Sequence, residues 1–281
     1  LYAYEDTGYH LSLQIHAEIQ SMSLWSLRAG RGDRMIKVLL DGDMFVFRAC
    51  SSCERETDWG NNIWTLHVDL EEAKNRFLDI VEDAIARAFD KMKYSGGYNV
   101  ILCFSSPENF RKKILPTYKA NRAGRRKPVA YKAVVDWVKK NFKTKEIEGL
   151  EADDCLGILA TKDDSNCIVI SGDKDMKTIP CLHFDFLRDK FFETTPEQSQ
   201  YYFFMQTLMG DVTDGYSGCP KIGAVTAKKL LDKDCSWNTV VKAFESKGLS
   251  EEVALQQARV AKILLASDFD YAKKKVILWK P

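Results

Sequence analysis

An α/β fold, with a central, mostly parallel sheet flanked by helices and a C-terminal helical subdomain, is predicted by three features of the sequence. Short apolar, β-branched runs alternate with amphipathic helical segments, the pattern of a parallel sheet. Acidic residues follow directly on the ends of those runs, at the edge where open α/β sheets bind ligands. Beyond residue 195 the alternation gives way to helical segments bounded by caps and glycines.

Residues 1–34 lack this pattern and read as a leader or an extension outside the fold. Residues 36–40 are an apolar strand running into Asp41-Gly42-Asp43, where the glycine permits a tight exit. A helix is expected over 44–53. Residues 56–68, polar and aromatic, read as a loop turning at Gly60-Asn61-Asn62. A long helix over 69–94 buries a stripe that includes Leu70, Phe77, Val81, Ile85 and Phe89, and Ser95-Gly96-Gly97 ends it. Residues 98–104 form a second buried strand, 152–161 a helix and 167–170 a third strand. Thr195, Pro196 and Gln198 mark the start of a helix that runs to Met209 and stops at Gly210. Further helices are expected over 237–244 and 251–266, with an edge strand over 276–279. The α/β core is thus expected over 35–195 and the helical part over 196–281.

Composition narrows the class. Hydrophobic residues at 45% and charged residues at 29% of 281 positions suit a soluble chain with a substantial core. No run approaches membrane-spanning length, so a cytoplasmic protein with no membrane role is expected. No coiled-coil repeat argues for assembly, so a monomer is expected. Eight cysteines without regular spacing read as reduced thiols. Cys50-Ser-Ser-Cys53 has no second pair with which to build a zinc site.

Charge is distributed unevenly behind a net value of +1. Glu151, Asp153 and Asp154 occupy the first turn of one helix, and Asp173 and Asp175 follow the next strand. Asp41 ends the first strand, and Asp211 and Asp214 lie three residues apart after Gly210. Acids on a first turn also offset the helix dipole, and aspartate in a loop is ordinary. Gathered at one edge, however, such carboxylates repel one another unless a cation sits among them. Oxygen-only ligands point to Mg²⁺ or Mn²⁺ rather than zinc. Between Arg111 and Lys145 the sole acid is Asp136, against thirteen Lys and Arg that include Lys112, Arg125, Arg126 and Lys127. Aromatics such as Tyr118 and Trp137 are interleaved with them. Such a window reads either as a solvated face or as a site for a phosphate backbone, and the acids beside it favour a polyanion. From Gly218 a glycine-flanked turn through Ile222 and Gly223 opens a helix carrying Thr226 and Lys228. Its backbone N–H groups can hold a phosphate without reading bases.

These segments resemble the structure-specific 5′-nuclease family, which includes flap endonucleases and the 5′→3′ exonucleases of short-tailed bacteriophages. The resemblance rests on LLDGDMFVFRA at 39–49, FRKKILPTYKANR at 110–122, LEADD at 150–154, ISGDKDMKTIP at 170–180, GDVTDGYSG at 210–218 and the terminal ILWKP. It implies a PIN-like nuclease core and a helix-hairpin-type subdomain. It further implies a two-metal hydrolysis of DNA phosphodiesters from free 5′ ends, with RNA/DNA hybrids and flaps as further substrates, in a phage-infected host. One metal would be held by Asp41, Glu151, Asp153 and Asp154, the other by Asp173, Asp175, Asp211 and Asp214, with Asp41 and Asp173 central to catalysis. Lys119 and Arg122, at the base of a basic arch over about 108–145, would stabilise the scissile phosphate. Arg111, Lys112, Tyr118, Arg125, Arg126 and Lys127 would contact DNA, as would Gly218, Ile222, Gly223, Thr226 and Lys228 beside a bound K⁺. The sequence departs from the family at Ser106, where relatives carry an acid, leaving one carboxylate fewer or Glu108 as its substitute. A DNA-binding module with a weakened site and a metal-dependent ribonuclease are the alternative readings.

Overall fold

The computed structural model describes residues 35–162 and 166–281, so the expected leader at 1–34 lies outside the described residues. In chain order the elements are β1 (Ile36–Asp41), α1 (Gly42–Cys53), β2 (Arg55–Asp58), β3 (Trp64–His67), α2 (Leu70–Met92), β4 (Tyr98–Cys103), α3 (Arg111–Ile114), α4 (Tyr131–Asn141), β5 (Thr144–Lys145) and α5 (Ala152–Ala160). They continue with β6 (Cys167–Ser171), β7 (Leu182–Asp185), β8 (Lys190–Glu193), α6 (Pro196–Met209), α7 (Ala224–Leu231), α8 (Trp237–Glu245), α9 (Glu251–Ala261), β9 (Phe269–Asp270) and β10 (Lys275–Val276).

β1 is buried on both faces and lies inside a sheet of order β5-β4-β1-β6-β7-β8. Every pairing is parallel except that of β7 with β8. The apolar runs read as strands therefore form the sheet as expected. Helices α1, α2 and α4 pack their apolar sides on one face of it. On the other face lies α5, with Ile263, Leu264 and Phe269 returning from the C-terminal segment. Helices α6 to α9 enclose a third cluster that also takes in Tyr118 and Tyr216. Register decides what meets at the edge. Leu40 lies opposite Ile170 and Asp41 opposite Cys103, so β1, β4 and β6 end together.

The capping signal at Thr195 holds, forming a capping box with Gln198 on α6, and Asp69 proves to be the cap of α2, accepting from the Glu71 and Glu72 N–H groups. Several expectations need correction. Residues 55–67 form a hairpin rather than a loop, turned by Gly60, Asn61 and Asn62, all at positive φ. Its residues are exposed, so no buried face marked the strands in the sequence. Leu70, assigned to the buried stripe of α2, is exposed. The hairpin β7–β8 has no counterpart in the sequence reading. α9 ends at Ala261, and the last strand is only Lys275–Val276, paired with β9 away from the main sheet. Trp279 packs instead against Trp237 and Phe203, with ring centroids 4.9 and 5.2 Å apart.

Part of the basic window packs into the core. After the short α3 and a turn at Ala120–Arg122, α4 lies against the core through Tyr131, Val134, Val135 and Val138. Trp137 and Phe142 meet Phe77 edge to face. Each such aromatic pair adds about 0.5–1.5 kcal/mol beyond area burial. These rings stabilise the core. None of the eight cysteines is in a disulfide. No helix among the described residues is long and apolar enough to cross a membrane.

Candidate active site

The site grows from the shared ends of β1, β4 and β6. Asp41 leaves β1 as the N-cap of α1, accepting from the Met44 N–H at 3.1 Å and from the Ser171 hydroxyl at 3.1 Å. Gly42 is needed there for space rather than for an unusual φ, because a Cβ would lie 2.7 Å from the Cys103 carbonyl oxygen. Asp173 follows β6 as the cap of a short 3₁₀ turn and accepts from the Asp175 N–H at 2.8 Å. Glu151 is the N-cap of α5, with Asp153 and Asp154 in its first turn. Asp211 and Asp214 arrive on the loop after α6, and that loop is pinned to the basic segment by the Lys119 N–H donating to the Asp214 carbonyl at 2.7 Å. The same contact holds Lys119 at φ +54°, a left-handed conformation that costs a non-glycine residue about 1–3 kcal/mol.

Of the eight predicted carboxylates, all but Asp154 join one electrostatically continuous group. Burial, then Asp43 and Asp173, raise Asp41 to about 7. Burial followed by Asp173 raises Asp175 to about 7, with Asp211 and Asp214 adding to it. Asp153 is pushed well above the carboxylate range by burial and by Asp41 and Asp173. Asp214 is raised by burial despite Lys119 and Arg122 beside it. Two acids go the other way. Burial would raise Glu151, but Arg111 and Lys119 overcome it and hold the carboxyl at about 2. Asp211 is likewise lowered, burial being outweighed by the Lys174 ammonium 3.0 Å away.

Several buried acids pushed towards neutrality mark a place built for added positive charge, and an all-oxygen donor set suits a hard divalent cation. Among the described residues no group of His, Cys, Asp or Glu is gathered tightly enough to hold an ion as it stands. The protein's own cations occupy the carboxylates instead. The Lys119 ammonium bridges Glu151 and Asp214, and Arg122 reaches Asp214 Oδ1 at 2.5 Å.

The predicted DNA contacts divide into two sets. Lys112, Arg125, Arg126 and Lys127 are exposed, although Arg126 is paired with Glu54 and Lys127 lies over the Tyr131 ring. Gly223, Thr226 and Lys228 are exposed at the start of α7. The others are not surface groups. Arg111 is 2% exposed and ion-paired to Asp154, and Tyr118 is 3% exposed with its hydroxyl donating towards Glu151 and Asp214. Ile222 is buried, and the Gly218 N–H already donates to Gln257 Oε1 at 2.9 Å. Asp154, expected as a metal ligand, is fully buried against Arg111.

Sequence reasoning missed Asp43, which accepts from the Ser105 N–H at 2.9 Å and the Tyr131 hydroxyl at 2.7 Å beside Asp41. The spacing Asp41-Gly42-Asp43 was the signal that could have found it. It also missed Ser171. Ser106 accepts from the Gly149 N–H at 3.2 Å and thus braces the loop before α5, while Glu108 is exposed. A cavity of about 950 Å³ opens beside Asp173, lined by Lys174, Lys177, Arg188, Lys190 and Tyr202. The unforeseen β7–β8 hairpin builds one wall of it.

Comparison with known proteins gives a consistent result. Residues 37–199 match the family model described as 5′-3′ exonuclease, N-terminal resolvase-like domain. The exonuclease of Escherichia phage T7 is 30% identical, over 92% of this chain and 97% of its own. The exodeoxyribonuclease of Enterobacteria phage T3 is also 30% identical, over 92% of this chain and 96% of its own. Among solved structures, the T5 D15 protein co-crystallised with metal ions superposes with a TM-score of 0.61 at 17% identity, covering 82% of this chain and 90% of that one. At that identity the likeness establishes the fold.

Proposed function

The chain belongs to the 5′-3′ exonuclease family, and from that membership we propose that it is a divalent-metal-dependent hydrolase acting on duplex DNA from free 5′ ends. The observation that carries this reading is the continuous acid group drawn from β1, α5, β6 and the 211–214 loop, lying against the basic residues Lys119 and Arg122. Asp41, Glu151 and Asp153 are the residues that would hold one Mg²⁺, and Asp173, Asp175, Asp211 and Asp214 a second, with Mn²⁺ able to replace either. Bound there, the ions would activate the attacking water and stabilise the leaving oxygen of an in-line displacement.

The chain's own residues do the rest. Lys119 and Arg122 already lie on carboxylates of the site, so a phosphate entering it meets two donors held within reach. Lys112, Arg125 and Lys127, all exposed, would add positive charge for the phosphate backbone. Gly223, Thr226 and Lys228 offer a second contact on the duplex through the open N-terminus of α7.

A duplex labelled internally and marked at its 5′ end tests the proposal, incubated in Mg²⁺ and in chelator. Short products should leave the 5′ end in order and only with metal. Asp173→Asn should abolish them while DNA binding persists. Intact DNA that is bound across both Mg²⁺ and Mn²⁺ would refute nuclease activity and leave a binding module. Preferential cleavage of a matched RNA duplex would point to a ribonuclease. Hybrid and flap substrates in the same assay rank the remaining specificities.

A further inference from the structure

We propose that Arg111 and Asp154 act together as a positioning pair that ties the C-terminal segment to Glu151, and that Asp154 is not a metal ligand. The inference rests on the nuclease reading above but concerns how the site is held.

Donor and acceptor counting carries it. Arg111 has five N–H donors and all five are used. Nε donates to the Val260 carbonyl at 2.9 Å, and one Nη donates to Asp154 Oδ2 at 2.7 Å and Glu151 Oε2 at 3.1 Å. The other Nη donates to Asp154 Oδ1 at 2.7 Å and the Lys262 carbonyl at 2.6 Å. Asp154 is equally full. Oδ1 also accepts from the Leu264 N–H at 3.1 Å, and Oδ2 from the Glu151 N–H at 3.1 Å. With four acceptor positions taken and no exposed surface, the carboxylate has nothing left to offer an ion. The guanidinium, 2% exposed, has nothing left for a phosphate.

What the pair does offer is position. It fixes both the backbone N–H and the carboxylate of Glu151. It also fixes the strand of chain at 260–264, whose Leu264 carbonyl lies so close to α5 that a Cβ at Gly157 would be 2.3 Å from it. Tyr118 completes the arrangement by donating to Glu151 Oε2 at 2.8 Å. A residue far along the chain thereby sets the orientation of an acid at the sheet edge.

The test measures Mn²⁺ binding without DNA by calorimetry, and kcat and KM with DNA, for Asp154→Asn, Arg111→Lys and the double variant. A positioning pair predicts that each single variant weakens Mn²⁺ binding and lowers kcat by a similar factor, about tenfold or more. KM should be unchanged and the double variant no worse than either single one. Weakened Mn²⁺ binding in Asp154→Asn alone would make Asp154 a ligand. A raised KM in Arg111→Lys would make Arg111 a DNA contact. A fall in thermal stability alone would make the pair merely structural. Hydrogen exchange in the unmodified chain covers the case in which a variant does not fold. The Leu264 amide should stay protected when Mn²⁺ is added, and its loss of protection would overturn the proposal. Absence of any Mn²⁺ binding by the unmodified chain would instead refute the nuclease reading.

Discussion

Lys119 stands on both sides of the site's charge balance. Its ammonium lies between Glu151 and Asp214, where it stabilises both carboxylates in the metal-free protein, and in the proposed reaction the same group would donate to the phosphate. An ammonium on those oxygens competes with a divalent ion for them. Lys119→Met should therefore cleave more slowly, by a factor on the order of 10²–10³ under single turnover, as expected when a charge-stabilising donor is removed. It should nevertheless bind Mn²⁺ at least as tightly as the unmodified chain in calorimetry. Asp175→Asn should lose both properties. Weaker Mn²⁺ binding by Lys119→Met would mean that the ammonium organises the acids instead of competing for them. Most acids of the site were legible in the sequence because each follows a strand end or opens a helix, and strand ends share an edge. Arg111 and Tyr118 were misread for a physical reason. Composition assigns one character to a whole basic window, whereas burial is decided residue by residue in three dimensions.

At the scale of elements, the turn before α7 contains two glycines with opposite roles. Gly218 has φ +63°, and a Cβ there would meet the Gly210 nitrogen at 2.2 Å, so the loop after α6 closes only without a side chain. Gly223 has ordinary backbone geometry as the N-cap of α7 and open space around it. Gly218→Ala should thus cost about 3 kcal/mol or more, the left-handed conformation and the backbone clash adding together. Gly223→Ala should stay within about 0.5 kcal/mol, as surface changes usually do. Urea unfolding of the two variants measures both. Equal losses would show that Gly223 too is held by packing that its open surroundings do not reveal. The turn was visible in the sequence as a glycine-rich helix start, but which glycine served the fold was not, because that depends on the return of 208–210 beside it. The hairpin at 55–67 was hidden for a related reason: strands with no buried face carry no alternation.

For the molecule as a whole, the acids at the sheet edge make stability depend on pH in an unusual direction. Asp41 and Asp175 are raised to about 7, and Asp153 and Asp214 are raised as well. Between about pH 4 and pH 7 the metal-free fold keeps protons on Asp41 and Asp175 that the unfolded chain has already released, and the raised Asp153 and Asp214 act in the same direction. Stability therefore falls as pH rises through that window, each group contributing at most about 1.4 kcal/mol per pH unit. His183 acts in the opposite direction: burial lowers it to about 4, so the fold refuses a proton that the unfolded chain accepts below its ordinary value near 6.5. Asp211, lowered by Lys174, acts with His183 but only in the acid part of the range, against the four raised carboxyls. Glu151, held at about 2, contributes only in strong acid. The Tm measured in chelator should accordingly fall between about pH 5 and pH 8. Mg²⁺ should raise it more at the upper end, where the ionised acids lack compensating charge. A Tm that is flat or rises with pH in chelator would mean that Lys119, Arg122 and Lys174 already neutralise the edge, and Mg²⁺ would then add little at either end. The sheet that gathers these acids would in that case be stable without any added cation.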